Sequence, residues 1–181
     1  MHKGIQPRLP FLIGRLKHGS MNENNVLKSY SNELGRMDLE TIVNIPPVVP
    51  GLFTLPPYDQ IQPKLLGGFC PTCNRYYFPK PKYCRGCLGQ TEEAPLASKG
   101  VIYSFTVIRR KPPLGLPDPY SVGYVDLEGS GLRVFTLLDP TAIAQLRIGL
   151  NVRLVVEPLG HDGHGALRLR PYFTPIAGGL R

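Results

Sequence analysis

Downstream of Gly100 the chain alternates apolar and polar positions with a period of two. Val101, Tyr103, Phe105 and Val107 interleave with Ile102, Ser104, Thr106 and Ile108, which predicts an eight-position strand with one strongly apolar side. Similar signals at 120–127, 133–138, 151–157 and 166–173 bring the number of strands to five. Upstream the period is helical: Val26, Tyr30, Leu34 and Met37 fall on one face and predict a helix over 22–43, with Asn24 or Asn25 able to cap it. The proline-rich stretch 46–63 between these regions forbids helix and disfavours a central strand. It reads as an extended connector, either an apolar arm for another surface or a strap over the protein's own core.

Between the third and fourth strands, Asp139-Pro140-Thr141-Ala142 places a capping residue before a proline, the signature of a short helical turn. Five strands with a helical segment at that point match the five-stranded Greek-key barrel called the OB-fold. A small sandwich is the competing arrangement. Tyr103 and Phe105 share a strand face and read as barrel core, a base-stacking platform being the functional alternative.

The chemistry of the chain is concentrated in its four cysteines. Cys70-Pro71-Thr72-Cys73 and Cys84-Arg85-Gly86-Cys87 are two knuckles separated by ten residues, short enough for one hairpin to bring them together. Two thiolates per knuckle supply the four tetrahedral sulfur ligands that zinc prefers. Iron is a chemically possible variant of the same site. Four protein ligands leave no open position for water or substrate, so the site is expected to be structural, and no cysteine remains as a nucleophile. No catalytic residue is assigned to the chain.

Composition narrows the class. Of 181 residues, 42% are hydrophobic and 19% charged, which is enough apolar material for a core, and glycine and proline at 20 each favour short strands joined by turns. No stretch approaches the apolar length of a membrane span. Four cysteines and no secretory signal fit a reducing cytoplasm. The net charge of +8 suggests an anionic partner, but Lys3, Arg8, Arg15 and Lys17 place four of those charges in an acid-free leader. Gly19-Ser20-Met21 looks like a cloning junction, so residues 1–20 are expected to be vector-derived or disordered. The expected units are then a helix and connector over 21–63, a zinc ribbon over 64–95 and the OB-fold over 96–181.

The order of these parts carries a resemblance. Leu65-Leu66-Gly67-Gly68-Phe69 leads into the knuckles, Phe78-Pro79-Lys80-Pro81 precedes the second, and Gly100-Val101-Ile102-Tyr103-Ser104-Phe105-Thr106 opens the barrel. Together with 119–125 and 146–152 these stretches resemble the zinc-ribbon plus OB-fold family called domain of unknown function 35 (DUF35), over roughly residues 60–175. The resemblance implies a noncatalytic accessory subunit of an acyl-CoA enzyme, most often a thiolase, with catalytic Cys and His on the partner and the OB-fold near a bound CoA thioester. Hydratases and aldolases are other partners the family implies.

Arg109-Arg110-Lys111 ends the first barrel strand, before the stiff loop Pro112-Pro113-Leu114-Gly115-Leu116-Pro117 in a position where OB-folds bind ligands. Arginine's planar fork suits the phosphates of CoA, so these three residues are candidates for CoA or partner contact, with a solvated loop as the plain alternative. Lys80, Lys82 and Arg85 around the knuckles are a second such group. His161-Asp162-Gly163-His164 reads as a hairpin turn rather than a metal or acid-base site. Neither a phosphate-binding glycine motif nor a serine elbow is present. A nucleic-acid-binding zinc-ribbon and OB module is the function from another class that composition permits.

Overall fold

The computed structural model describes residues 39–56 and 62–176. The leader and most of the helix expected over 22–43 lie outside the described residues. A helix α1, Leu39–Val43, is the part of that expectation that falls inside them.

Eight strands follow: β1 Leu66–Cys70, β2 Arg75–Tyr77, β3 Glu92–Pro95, β4 Lys99–Ile108, β5 Tyr120–Leu127, β6 Arg133–Leu138, β7 Asn151–His161 and β8 Leu167–Pro175. The first three form a small antiparallel sheet in the order β2-β1-β3, and the last five close a barrel in the order β4-β5-β6-β8-β7. Closure is made by β4 pairing with both β5 and β7, and by a short parallel pairing of β6 with β8. This is the Greek-key order of an OB-fold, and closing the sheet leaves few backbone groups exposed at an edge.

The five barrel strands coincide with the alternating segments of the sequence, except that β7 and β8 run on to His161 and Pro175. The helical turn after β6 is a 3-10 turn, Ile143–Gln145, so it begins three residues later than the Asp139-Pro140 pattern implies. The Asp139 carboxylate is shared between the local turn and β8. It accepts from the Thr141 amide at 2.8 Å, the Thr141 hydroxyl at 2.7 Å and the Thr174 hydroxyl at 2.6 Å, tying the end of β6 to β8.

The expectation that Tyr103 belongs to the barrel core is corrected. A bulge between Ile102 and Ser104 inserts one residue against β5, so the alternation changes phase in mid-strand. Ile102 is buried, Tyr103 is half exposed, and Phe105 packs partly against the core. Gly123 on β5 faces the residues just past the bulge, where a Cβ would lie 2.4 Å from the Ser104 carbonyl oxygen.

The proline-rich connector is a strap on the protein's own barrel where it is described. Val48 N–H donates to the Leu169 carbonyl at 2.9 Å and Leu169 N–H to the Pro46 carbonyl at 3.0 Å, so this segment runs beside β8 like a further parallel strand. Phe53 then pairs with Leu65 and is buried with it. Phe53, Leu65 and Leu96 join Ile102, Val125, Leu154 and Phe173 in one continuous apolar cluster, so strap, ribbon and barrel share a core.

The turn expected at His161-Asp162-Gly163-His164 closes the β7–β8 hairpin. Asp162 Oδ1 accepts from the His164 and Ala166 amides at 2.8 and 3.0 Å, and Oδ2 accepts from both Nε and Nη2 of Arg168. Arg168 first, then the Ala166 amide, hold the Asp162 carboxyl far below the usual carboxylate range. A carboxyl depressed on folding stabilises the protein above its unfolded pKa, and that contribution disappears as pH falls toward the folded value. Asp162→Asn is therefore expected to lower the melting temperature at pH 7. The gap between wild type and variant should close as melts are taken from about pH 5 downward, and a gap unchanged at pH 3 would contradict this account.

Candidate metal centre in the ribbon

The strands of the small sheet place the four cysteines. Cys70 ends β1, and the turn after it carries Cys73; β2 returns the chain, and the turn 84–89 carries Cys84 and Cys87. Gly67 makes the close pairing possible, since a Cβ there would sit 2.5 Å from the Tyr77 carbonyl oxygen. In each knuckle the residue after the second cysteine has a left-handed backbone, Asn74 at φ 50° and Leu88 at φ 59°.

The sulfur atoms of Cys70, Cys73, Cys84 and Cys87 all lie within 4.8 Å of one another, Cys70 and Cys87 being 3.5 Å apart. Cys70 and Cys84 are buried, Cys73 is half-buried and Cys87 is exposed. Backbone amides point into the cluster, Cys73 N–H toward Cys70 Sγ at 3.4 Å and Gly86 N–H toward Cys84 Sγ at 3.3 Å. The Tyr77 hydroxyl and Cys84 Sγ are 3.1 Å apart, in hydrogen-bond reach, and the hydroxyl is the donor whenever the sulfur is a thiolate. That phenol, followed by the amides of Cys87 and Gly86, brings the Cys84 thiol down to about 5. The sulfurs of Cys87 and then Cys84 push Cys73 up to about 12. A cation beside these sulfurs would favour their thiolate forms. Four sulfurs at this separation fit a tetrahedral metal ion, with donors already turned toward the charge the ligands would carry.

Tyr77 is the functional residue that sequence reasoning missed. Nothing separates it from Tyr76 or Tyr83 until the register is known. Pairing of Tyr77 with Gly68 sets its ring against the second knuckle.

The two basic groups occupy different elements. Lys80 lies 3.8 Å from Glu93 with both side chains exposed, Lys82 sits over the Tyr83 ring at 5.3 Å, and Arg85 is exposed within the second knuckle. Arg109, Arg110 and Lys111 are exposed where β4 ends. The loop that follows is pressed onto β7. A Cβ on Gly115 would meet His161, and one on Gly160 would lie 2.6 Å from the Leu114 carbonyl oxygen, so the basic run has a held base.

The outer face of β4, β5 and β6 carries exposed rings. Tyr124 and Phe135 lie with centroids 5.2 Å apart, and the Arg133 guanidinium stacks 3.1 Å above the Tyr103 ring. Arg133 also binds Asp126 through two hydrogen bonds, at 2.6 and 3.0 Å.

A four-cysteine ribbon built onto a closed OB barrel through a common core defines the class of this protein. A family model described as the C-terminal OB-fold domain of ChsH2 matches residues 93–157. The benzoylsuccinyl-CoA thiolase subunit BbsA of Geobacter metallireducens is 38% identical over 104 residues, covering 57% of this chain and 68% of that protein. BbsA of Thauera aromatica is 38% identical over 86 residues, 46% of this chain, and the match spans only 57% of that relative's length. A DUF35 domain-containing scaffold protein of Methanocaldococcus jannaschii is 29% identical over 116 residues, 62% of this chain and 82% of that one. Among solved structures, the Ltp2-ChsH2(DUF35) aldolase matches with a TM-score of 0.51 at 27% identity, covering 62% of this chain and 84% of that chain. The chain belongs to the DUF35 family, and the BbsA subunits are among its relatives.

Two substitutions test the centre. Cys84→Ser is expected to abolish binding of one metal ion per chain and to loosen the ribbon before the barrel, read by metal analysis and hydrogen exchange. Tyr77→Phe should retain the metal but weaken it about tenfold to a hundredfold in chelator competition, because the thiolate loses its donor. Folded, pure protein without any metal at all would show that the cluster is not a metal centre.

Proposed function

We propose that this chain is a noncatalytic, zinc-containing accessory subunit of a thiolase-type acyl-CoA enzyme complex. It supports assembly and CoA-ester binding, while the partner chain performs beta-ketoacyl-CoA thiolysis or acyl transfer. The observation that carries this reading is the use of its cysteines. All four in the chain are gathered in one cluster, so no thiol is spare to act as an acyl carrier, although the relatives are named as subunits of a thiolase. Zinc is the natural occupant of four thiolates in a site without an open position, and its role is to hold the ribbon. A benzoylsuccinyl-CoA thiolase small subunit is the more particular form of this reading, and the same relatives support it.

The solved relative is an Ltp2-ChsH2(DUF35) aldolase, which keeps an aldolase as the other candidate partner. A nucleic-acid module is the second reading, and the exposed rings of Tyr103, Tyr124 and Phe135 favour it. Against it, the one arginine stacked on this face is already matched by Asp126, whereas strand-binding grooves rely on cations free for phosphate.

Rigorously purified chain is expected to show no turnover of acyl-CoA thioesters alone, and to form a stoichiometric complex with a thiolase-fold polypeptide that has turnover. Thiolysis by the chain alone would defeat the noncatalytic reading. Tight, steeply salt-dependent binding of single-stranded oligonucleotides with no such complex would replace it by the nucleic-acid one.

The exposed run Arg109-Arg110-Lys111 is the proposed contact for CoA phosphate. Replacing Arg109 and Arg110 by Glu is expected to raise the KM for CoA roughly tenfold to a hundredfold in the assembled complex, with metal content and melting temperature unchanged. Failure of the double variant to assemble would reassign these residues to the partner contact, and unchanged kinetics would make them ordinary surface.

A further inference from the structure

The second knuckle ends on a residue in a costly backbone state. Cys84 N–H donates to the Gly89 carbonyl at 2.7 Å and Leu88 N–H to the Cys84 carbonyl at 3.0 Å. This tight closure holds Leu88 at φ 59°. The matching residue of the first knuckle is Asn74, a type that tolerates the left-handed region, whereas a branched aliphatic side chain there is strained. Glycine would serve the turn better.

Leu88 also gives nothing visible back to the fold. It is 77% exposed, the highest value among the exposed large hydrophobic residues described. Tyr83 on the same tip is 47% exposed. The segment 71–91 contains Arg75, Lys80, Lys82 and Arg85 and no acidic residue; Lys80 faces Glu93 of β3 at 3.8 Å, while Lys82 and Arg85, flanking Tyr83 and Cys84, are exposed. Strain kept at a bare apolar position points to a use outside the chain.

We propose that Leu88, with Tyr83, is the anchor by which the ribbon tip docks into an apolar depression rimmed by acidic side chains on the catalytic partner subunit. This rests on the accessory-subunit reading and adds the surface and its chemistry. The position of Leu88 directly after Cys87 means that the same knuckle that gathers the sulfurs aims the anchor. A protein pocket fits these observations better than a bilayer or a nucleic acid. One leucine is too little apolar surface to hold a protein on a membrane, and Lys82 lies over the Tyr83 ring, where it would have to follow that ring into hydrocarbon. A leucine knob offers a base neither a stacking plane nor a hydrogen bond.

The test uses full-length chain and the purified thiolase-fold polypeptide of the same organism. Leu88→Gly is expected to keep its metal, to melt at the same or a higher temperature, and to bind the polypeptide about tenfold to a hundredfold more weakly by calorimetry. The double variant Lys82→Glu, Arg85→Glu should weaken binding as well and flatten its dependence on salt. Unchanged affinity of Leu88→Gly, in a preparation where wild type binds, overturns this proposal alone. Loss of metal or a lower melting temperature also overturns it, since Leu88 would then serve the ribbon itself. Wild-type binding to phosphatidylserine vesicles that Leu88→Gly loses, with partner affinity intact, overturns it in favour of a membrane surface. A wild-type chain that binds no thiolase-fold polypeptide overturns the accessory-subunit reading itself.

Discussion

Four thiols within 4.8 Å of one another cannot all ionise unless a cation shares their charge, and the ribbon is organised around that constraint. Its three strands are five, three and four residues long, and most of their side chains are exposed or half-buried. Such a sheet buries too little apolar surface to persist by itself. Two things compensate. One is the sulfur cluster, with the Tyr77 hydroxyl and the backbone amides turned toward it. The other is the seam of Phe53, Leu65 and Leu96, which continues the barrel core beneath the ribbon. The ribbon is therefore pinned at its base by apolar contact and can be pinned at its tip by metal, which makes it a suitable stalk for presenting a surface.

The barrel supplies the fixed frame. The barrel closes through short seams, β4 with β7 at Lys99, Gly100 and Val101 and β6 with β8 at Leu137 and Leu138, and the strap takes up part of the β8 edge. Faces, loops and the ribbon offer the remaining surfaces for partners. The bulge at Tyr103 shows how one inserted residue alters a face, since Ile102 before it and Phe105 after it both turn toward the core while the Tyr103 ring stays outside under Arg133. The β4–β5 loop, pressed onto the end of β7 through Gly115 and Gly160, likewise fixes where the basic run emerges.

Much of this was legible in the residues. Period-two alternation located five barrel strands because each has one side against a core, and the paired two-residue gaps between cysteines located the sulfur cluster because that spacing suits few other chemistries. The turn at Asp162 was legible because Asp-Gly between two strand patterns has a strong local preference. What escaped was whatever depends on register or on a neighbour distant in sequence. Tyr77 became distinct from Tyr76 only through its pairing with Gly68, and the phase change at Ile102 has no local signal because Val101, Ile102 and Tyr103 are consecutive apolar residues that fit either phase. At the short turn after β6, Asp139 Oδ1 accepts from the Thr141 amide as a local rule would have it, but Oδ2 is held by Thr174, a contact that no local capping rule contains.

The sequence by itself thus determined which segments extend, where they turn and which atoms are available to bind a metal, since those properties follow from local periodicity and residue chemistry. The tertiary structure alone decided that the proline-rich connector lies along β8, that Tyr103 faces outward, and that Leu88 stands bare on a strained turn while Phe53 is buried. The physical reason is that burial belongs to pairs of surfaces. A connector, a ring or a leucine is apolar wherever it stands, and only the packing of distant segments determines which of them are covered and which remain exposed.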